Sequence, residues 1–295
     1  MSQVAARGAL HVVATPIGNL EDLSPRAADI LRSADLVLCE DTRHSGGLLR
    51  HLGSGARTLS LHAHNEHQRI ETAIEQLRGG RLVALVSDAG TPCLSDPGNR
   101  LVDAVLSADL PVVSVPGPFA GAVALAGAGL TTASFSFWGF LPKKSAARRA
   151  ALAERLNAGP GGELHTHVMY VPGRDVAPFC EDIAAVAPDC RVAVARELTK
   201  IHERYVRGTP SEVVAKWTDE WARGEAVVLV EVDGATCAQP VVAVDAETLV
   251  RQAIQAGEPR KAALRRIAKQ TGKGRRELYA TWQKMLDEAP AGPDQ

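Results

Sequence analysis

Over the first 115 residues, short β-branched and aliphatic runs alternate with helix-length amphipathic segments, and this rhythm restricts the fold more than any other feature. It predicts strands at Leu10–Ala14, Leu36–Cys39, Thr58–Leu61, Leu82–Val86 and Val112–Val115, with helices in the gaps. Ser24-Pro25-Arg26 opens one helix: the serine oxygen can accept from an orphan backbone N–H, and proline loses nothing at the first helical position. The strand runs are almost continuously apolar instead of alternating. Both faces must then be covered, which implies a mostly parallel sheet between helical layers.

The rhythm changes after Gly117. An alanine- and glycine-rich helix at Phe119–Gly129 leads into an aromatic stretch, Phe135 to Phe140, which reads as a turn. Further strands are predicted at His167–Val171, Arg191–Ala195, Arg204–Arg207 and Ala226–Val232, in a unit that looks mixed instead of parallel. From Ala246 to about Glu288 the pattern is helical, and Ala289 to Pro293 reads as a frayed tail. The fold class is therefore α/β: an N-terminal α/β domain over residues 1–117, a second over 118–240, and a small helical module over 246–288.

A chain of 295 residues, 45% hydrophobic, can bury two cores. Its net charge of −1 excludes a uniformly basic nucleic-acid binder, so any basic surface must be a local cluster. Five cysteines, at 39, 93, 180, 190 and 237, form no C-x-x-C pair and suit a reducing compartment, the cytoplasm. The start, MSQVAARGALHVV, does not read as a leader, and the apolar stretch Phe119–Leu130 is too short to span a bilayer, so no membrane is expected.

In an open parallel sheet, ligands sit beyond the carboxyl ends of the strands. Three loops there combine glycine with proline: Thr15-Pro16-Ile17-Gly18-Asn19, Ser87-Asp88-Ala89-Gly90-Thr91-Pro92 and Pro116-Gly117-Pro118. Glycine permits close backbone approach and proline stiffens the loop, which suits a rigid site lined by backbone groups. Such a site would accept a zwitterionic ligand carrying adenine. Ordinary tight turns would explain any one of them; three at one sheet edge favour a site. No G-x-G-x-x-G follows the first strand and no P-loop signature occurs, which argues against nicotinamide enzymes and P-loop ATPases.

Polar residues also gather at strand ends, Glu40-Asp41-Thr42-Arg43-His44 and His62 to Glu66. They could orient a hydroxyl or take its proton, or simply cap helices. Glu40, Asp41, Glu66 and Asp88 are the candidates for that base. His62, His64 and His67, like His165 and His167, lack a completing carboxylate or cysteine at metal-ligand spacing, so no metal is expected.

With these motifs in order, the chain resembles the ribosomal RNA small subunit methyltransferase I family of the tetrapyrrole methylase superfamily. The resemblance is carried by Val13 to Leu20, Glu40 to His44, Leu85 to Pro92 with Ser95-Asp96-Pro97-Gly98, Val115 to Pro118, Gly139 to Lys143, and Arg196-Glu197-Leu198-Thr199-Lys200. It implies a homodimer of two-domain α/β chains with S-adenosyl-L-methionine in the cleft between the domains. It further implies 2'-O-methylation of a decoding-centre cytidine ribose in the 16S ribosomal RNA of the small subunit. The cofactor would touch Pro16, Ile17 and Gly18, then Asp88, Ala89, Gly90 and Thr91, then Gly117, Pro118 and Ala120. Met169, Tyr170 and the Gly224-Glu225-Ala226 strand start would complete the adenine pocket. The chain departs from the family at Val171-Pro172-Gly173-Arg174-Asp175, where a glutamate and a histidine are missing and Arg174 is left as a phosphate contact.

Lys143, Lys144, Arg148 and Arg149 open a helix beside the aromatic stretch, as a single-stranded RNA platform requires; the alternative is a solvated helix start over core aromatics. Arg43 is a further expected RNA contact. The C-terminal module is more one-sided, with Lys261, Arg265, Arg266, Arg275 and Arg276 among its cations, and resembles a helix-turn-helix that grips phosphates without reading bases. Two other functions are weighed: a tetrapyrrole methyltransferase, disfavoured by the Thr-Pro-Ile-Gly-Asn loop and the basic module, and a non-enzymatic RNA-binding assembly factor.

Overall fold

The computed structural model describes residues 6–62, 65–156, 163–233, 246–256, 258–271 and 274–287. Its first sheet comprises β1 (Leu10–Val13), β2 (Leu36–Cys39), β3 (Arg57–Ser60), β4 (Val83–Leu85) and β5 (Val112–Val115). The order is β3-β2-β4-β1-β5 and every pairing is parallel. Alternate strand residues face opposite layers, as the pleat requires. Val37 and Cys39 pack with Ile30 and Leu31 of α1 (Pro25–Ser33) and Leu49 of α2 (Thr42–His51). Leu36 and Leu38 pack with Leu77 of α3 (Glu66–Arg78) and with Leu101 and Val105 of α4 (Asn99–Ser107). The expected cap is present: Ser24 Oγ accepts from Ala27 N–H at 3.1 Å, with Pro25 following.

The second sheet contains β6 (Phe135–Phe140), β7 (His165–Pro172), β8 (Arg191–Arg196), β9 (Arg204–Gly208) and β10 (Glu225–Val232), in the order β6-β7-β10-β8-β9. It is mixed: β6 and β7 run parallel, the other neighbours antiparallel. One face packs on α6 (Ser145–Leu156), α7 (Val176–Ala184) and α8 (Pro210–Lys216). The other carries α5 (Ala120–Ala128), whose Ala124, Leu125 and Ala128 meet Val168, Ala193, Ala195 and Leu229. A side chain at Gly127 would overlap the Tyr205 ring, so the small residues of α5 let it lie close to the sheet.

The aromatic stretch expected to be a turn is strand β6. Its register against β7 shifts between Phe137 and Gly139, where Gly139 adopts φ +62°. Such a bulge re-aims side chains and explains a glycine inside a strand. Phe137 packs edge-on between Phe119 and Tyr170 with centroids 5.0 Å from each, and Trp138 joins the opposite core, so neither is free to stack on RNA.

The last described helices are α9 (Ala246–Gln255), α10 (Arg260–Thr271) and α11 (Arg275–Asp287), with their own core of Val250, Ala253, Ile267, Leu278 and Trp282. Tyr279 is half-exposed with the Arg260 guanidinium 4.8 Å from its ring centre. Among the described residues no helix is long and apolar enough to cross a membrane.

Candidate active site

Because β4, β1 and β5 are neighbours, the three glycine–proline loops converge at one sheet edge. The β1 and β4 loops are stitched together: Thr15 N–H donates to Gly90 O at 2.8 Å, and Gly90 N–H returns a bond to Thr15 O at 3.0 Å. Gly90 sits at φ +85°, a left-handed conformation that glycine adopts without a Cβ penalty. Thr91 Oγ1 donates to Pro118 O at 2.9 Å and ties in the third loop.

These loops form one wall of a cleft of about 560 Å3 whose other wall is the second sheet. Ile17, Asp88, Ala89, Gly90 and Thr91 line it from the first side, and Ala120 of α5 with Tyr170, Glu225 and Ala226 from the second, all expected cofactor contacts. Pleat alternation sends Tyr170 into the cleft and buries the Met169 side chain on the far face, so Met169 does not line the cleft. Gly18 does not line the cleft either. A Cβ built there would lie 2.7 Å from Lys200 Cγ and 2.8 Å from Leu198 O. Glycine at that position lets the β1 loop press against the β8–β9 loop across the cleft. Gly117 faces Ala14, Pro118 contributes its carbonyl to Thr91, and Pro16 lines a separate recess.

Of the four candidate bases, Glu40 and Asp88 line the cleft. Asp41 instead caps α2, its Oδ1 accepting from Arg43 N–H at 2.8 Å, while its own N–H donates to Asp88 Oδ1 at 3.1 Å. Glu66 is buried outside the cleft, with Arg100 Nη1 3.7 Å from its carboxylate. Among the lining residues not assigned from the sequence are Asp96, Phe140, Glu197 and Lys200. All stand within motifs quoted above, which is the signal that could have found them. Burial pushes the Asp96 carboxyl up to about 6, reinforced by Glu40, Asp88 and Glu225 and opposed by a hydrogen bond from Ser87. Glu40 is raised as well, first by burial and then by Asp88, Glu225 and Asp41. The cleft thus combines an apolar wall with a concentration of negative charge that disfavours its own full ionisation.

The basic cluster is divided. Arg148 is buried; its Nε donates to Asp182 Oδ2 at 2.7 Å and its guanidinium lies 5.3 Å from the Phe179 ring centre, so it braces α6 on α7 and is no RNA contact. Lys143, Lys144 and Arg149 are exposed, as are Arg43, Lys261, Arg265 and Arg266. Arg266 pairs with Glu258. The side chains of Arg275 and Arg276, together with His64 and Cys237, lie outside the described residues. His165 accepts or donates to Ser134 and Ser136 at 2.7 Å each, and buried His167 is held neutral, pushed down to about 3 by burial. Among the described residues no group of three or more His, Cys, Asp or Glu is placed to hold a metal ion.

Two α/β sheets that enclose a cleft lined by sheet-edge loops, in a chain that matches the tetrapyrrole methylase model, place the protein in the tetrapyrrole methylase class. The family model of tetrapyrrole (corrin/porphyrin) methylases matches residues 9–214. The structure of a uroporphyrin-III C-methyltransferase from Thermus thermophilus, complexed with S-adenyl homocysteine, superposes with a TM-score of 0.52 at 17% identity, covering 75% of this chain and 96% of that one. Among curated relatives, ribosomal RNA small subunit methyltransferase I of Escherichia coli O157:H7 is 44% identical over 77% of this chain and 78% of its own length. The protein of the same name from Xylella fastidiosa is 40% identical over 92% of this chain and 98% of its own length. The chain belongs to the tetrapyrrole methylase family and, within it, to the ribosomal RNA small subunit methyltransferase I group.

Proposed function

We propose that the protein transfers a methyl group from S-adenosylmethionine to the ribose 2'-hydroxyl of a decoding-centre cytidine in 16S ribosomal RNA. The observation that carries this reading is the cleft, in a chain whose curated relatives are named as small-subunit ribosomal RNA methyltransferases. The cleft suits the donor: Ile17, Ala120, Tyr170 and Ala226 offer apolar surface for adenine, and Asp88, Asp96 and Glu225 face a ligand carrying sulfonium and ammonium charge. When bound, the donor supplies an electrophilic methyl carbon. The chain's task is then to hold donor and hydroxyl in line, exclude water and accept one proton. Five carboxylates line the cleft, Glu40, Asp88, Asp96, Glu197 and Glu225, and the two with raised proton affinity, Asp96 and Glu40, are the better proton acceptors near neutral pH.

In this reading residues 1–117 and 118–240 act as two domains, 246–288 grips the RNA backbone, and the protein works as a cytoplasmic homodimer. Exposed Lys261, Arg265 and Arg266 of α10 support the RNA role. Labelled donor should mark purified small subunits on a single nucleotide, with the methyl group in the ribose fragment by mass spectrometry. A methyl group on the base, or labelling of a porphyrinoid instead of RNA, defeats the assignment. Absence of thermal stabilisation by S-adenosylmethionine would point to a non-enzymatic assembly factor, since a ligand that favours the folded state must raise its melting temperature.

A further inference from the structure

Beyond Asp88, on the side away from the second sheet, a recess of about 180 Å3 opens between the β1 loop and α2. We propose that this recess seats the acceptor nucleotide of the RNA, an inference that rests on the methyltransferase reading above. Pro16, Leu20 and Leu48 give it an apolar surface beside His44, His51 and Asp88, and Leu20 is half-exposed. Ser45 lines it as well. That serine is only 4% exposed, yet its hydroxyl makes no hydrogen bond of ordinary geometry among the described residues; the nearby Cys39 thiol is a weak partner.

Asp88 lines both the recess and the cleft, so it stands where donor and acceptor must meet. A nucleoside seated against the apolar surface can present its ribose hydroxyl to that carboxylate and hence to the cleft. The charge on α2 fits the rest of a nucleic acid. From Thr42 to His51 the helix carries Arg43, His44, Arg50 and His51 and no carboxylate. Arg43 and Arg50 are exposed and form no ion pair among the described residues, so both are open to phosphates on either side of the seated nucleotide.

Gly47 provides the test, because it lines the recess and a Cβ there meets nothing within 4 Å. Gly47→Leu should fold, melting at or above the wild-type temperature, since glycine is unfavourable inside a helix. It should keep wild-type affinity for S-adenosylmethionine while KM for purified small subunits rises roughly tenfold or more, the pattern of lost acceptor binding. Arg43→Gln and Arg50→Gln, surface changes that do not touch the core, should each flatten the salt dependence of RNA affinity by about one unit of log–log slope. A Gly47→Leu protein with unchanged KM, or with weakened donor binding, overturns the proposal. Should the wild-type protein fail to label small subunits, the functional reading falls, and affinity for a labelled RNA oligonucleotide decides the recess by itself: equal binding by Gly47→Leu rejects it, and weaker binding upholds it.

Discussion

In the first sheet all strands run the same way, so the ends of β2, β4 and β1 lie at one edge and their loops deliver Glu40, Asp88 to Thr91, and Ile17 to the cleft. In the second sheet β10 runs against β7 and β8, and what reaches the cleft is largely a face: Tyr170, Ala195 and Val227 from the strands themselves. Parallel order concentrates loops, and with them backbone groups and carboxylates, at one edge. Antiparallel order separates strand ends and leaves a pleated surface, which here forms the apolar wall. The division of labour places most of the reactive chemistry in the first half of the chain and the shape of the pocket in the second.

The largest expected effect tests whether basic residues of the second half serve its core. Arg148→Ala leaves the buried Asp182 carboxylate with only the Ser145 hydroxyl at 2.7 Å and the half-exposed Arg149 guanidinium at 3.4 Å, a loss of up to about 3 kcal/mol for a buried pair broken from one side. Denaturant unfolding should show that loss, with donor affinity of the remaining folded protein unchanged; full stability with lost RNA binding would return Arg148 to the RNA surface. Gly18→Val comes next. Its branched side chain would force the β1 loop away from Leu198 and Lys200, and calorimetric titration should find S-adenosylmethionine bound at least about tenfold more weakly, equivalent to 1.4 kcal/mol. An unchanged affinity would mean that the two walls need not touch.

Two smaller effects set the halves against each other in pH. The Asp96 carboxyl is raised from 3.8 to about 6, so the folded form binds more protons than the unfolded one between those values and stability falls as pH rises through them. Asp96→Asn should therefore melt higher than wild type at pH 7, with the gain shrinking by pH 4. If Asp96 also takes the hydroxyl proton, the same variant will lose the limb near pH 6 from the rate profile. His167 behaves oppositely. Its affinity is lowered from 6.5 to about 3, so stability is present above pH 6.5 and is lost as pH falls toward 3. His167→Phe should blunt acid unfolding, and an unaltered acid limb would mean that the imidazole is protonated in the fold.

The parallel sheet was legible because its strands are apolar runs, three of them closed by a glycine–proline loop, and the mixed second unit was legible from its predicted strands. What failed was orientation. Met169 and Tyr170 are adjacent in one strand, and only tertiary packing decides which of them faces the cleft. Glycine signals a close approach without saying to what, so Gly18 and Gly90 looked alike although one meets chain and the other sits at the edge of a cavity. Phe135 to Phe140 read as a turn because the bulge at Gly139 breaks strand periodicity. Arg148 looked like a surface cation because its partner Asp182 is 34 residues away.

The cleft is closed by seams on both sides: Gly18 presses on the β8–β9 loop, and Gly139 of β6 leaves room only for Ser95 from the β4–α4 segment, where Cys93 and Ser95 adopt φ +71° and +72°. Two sheets joined at both margins should share one cooperative melting event, whereas α9 to α11, which bury a separate cluster, have the means to melt by themselves. A scanning calorimeter should therefore record two heat-absorption peaks. Saturating donor should shift only the peak belonging to the sheets, leaving the helical one where it was.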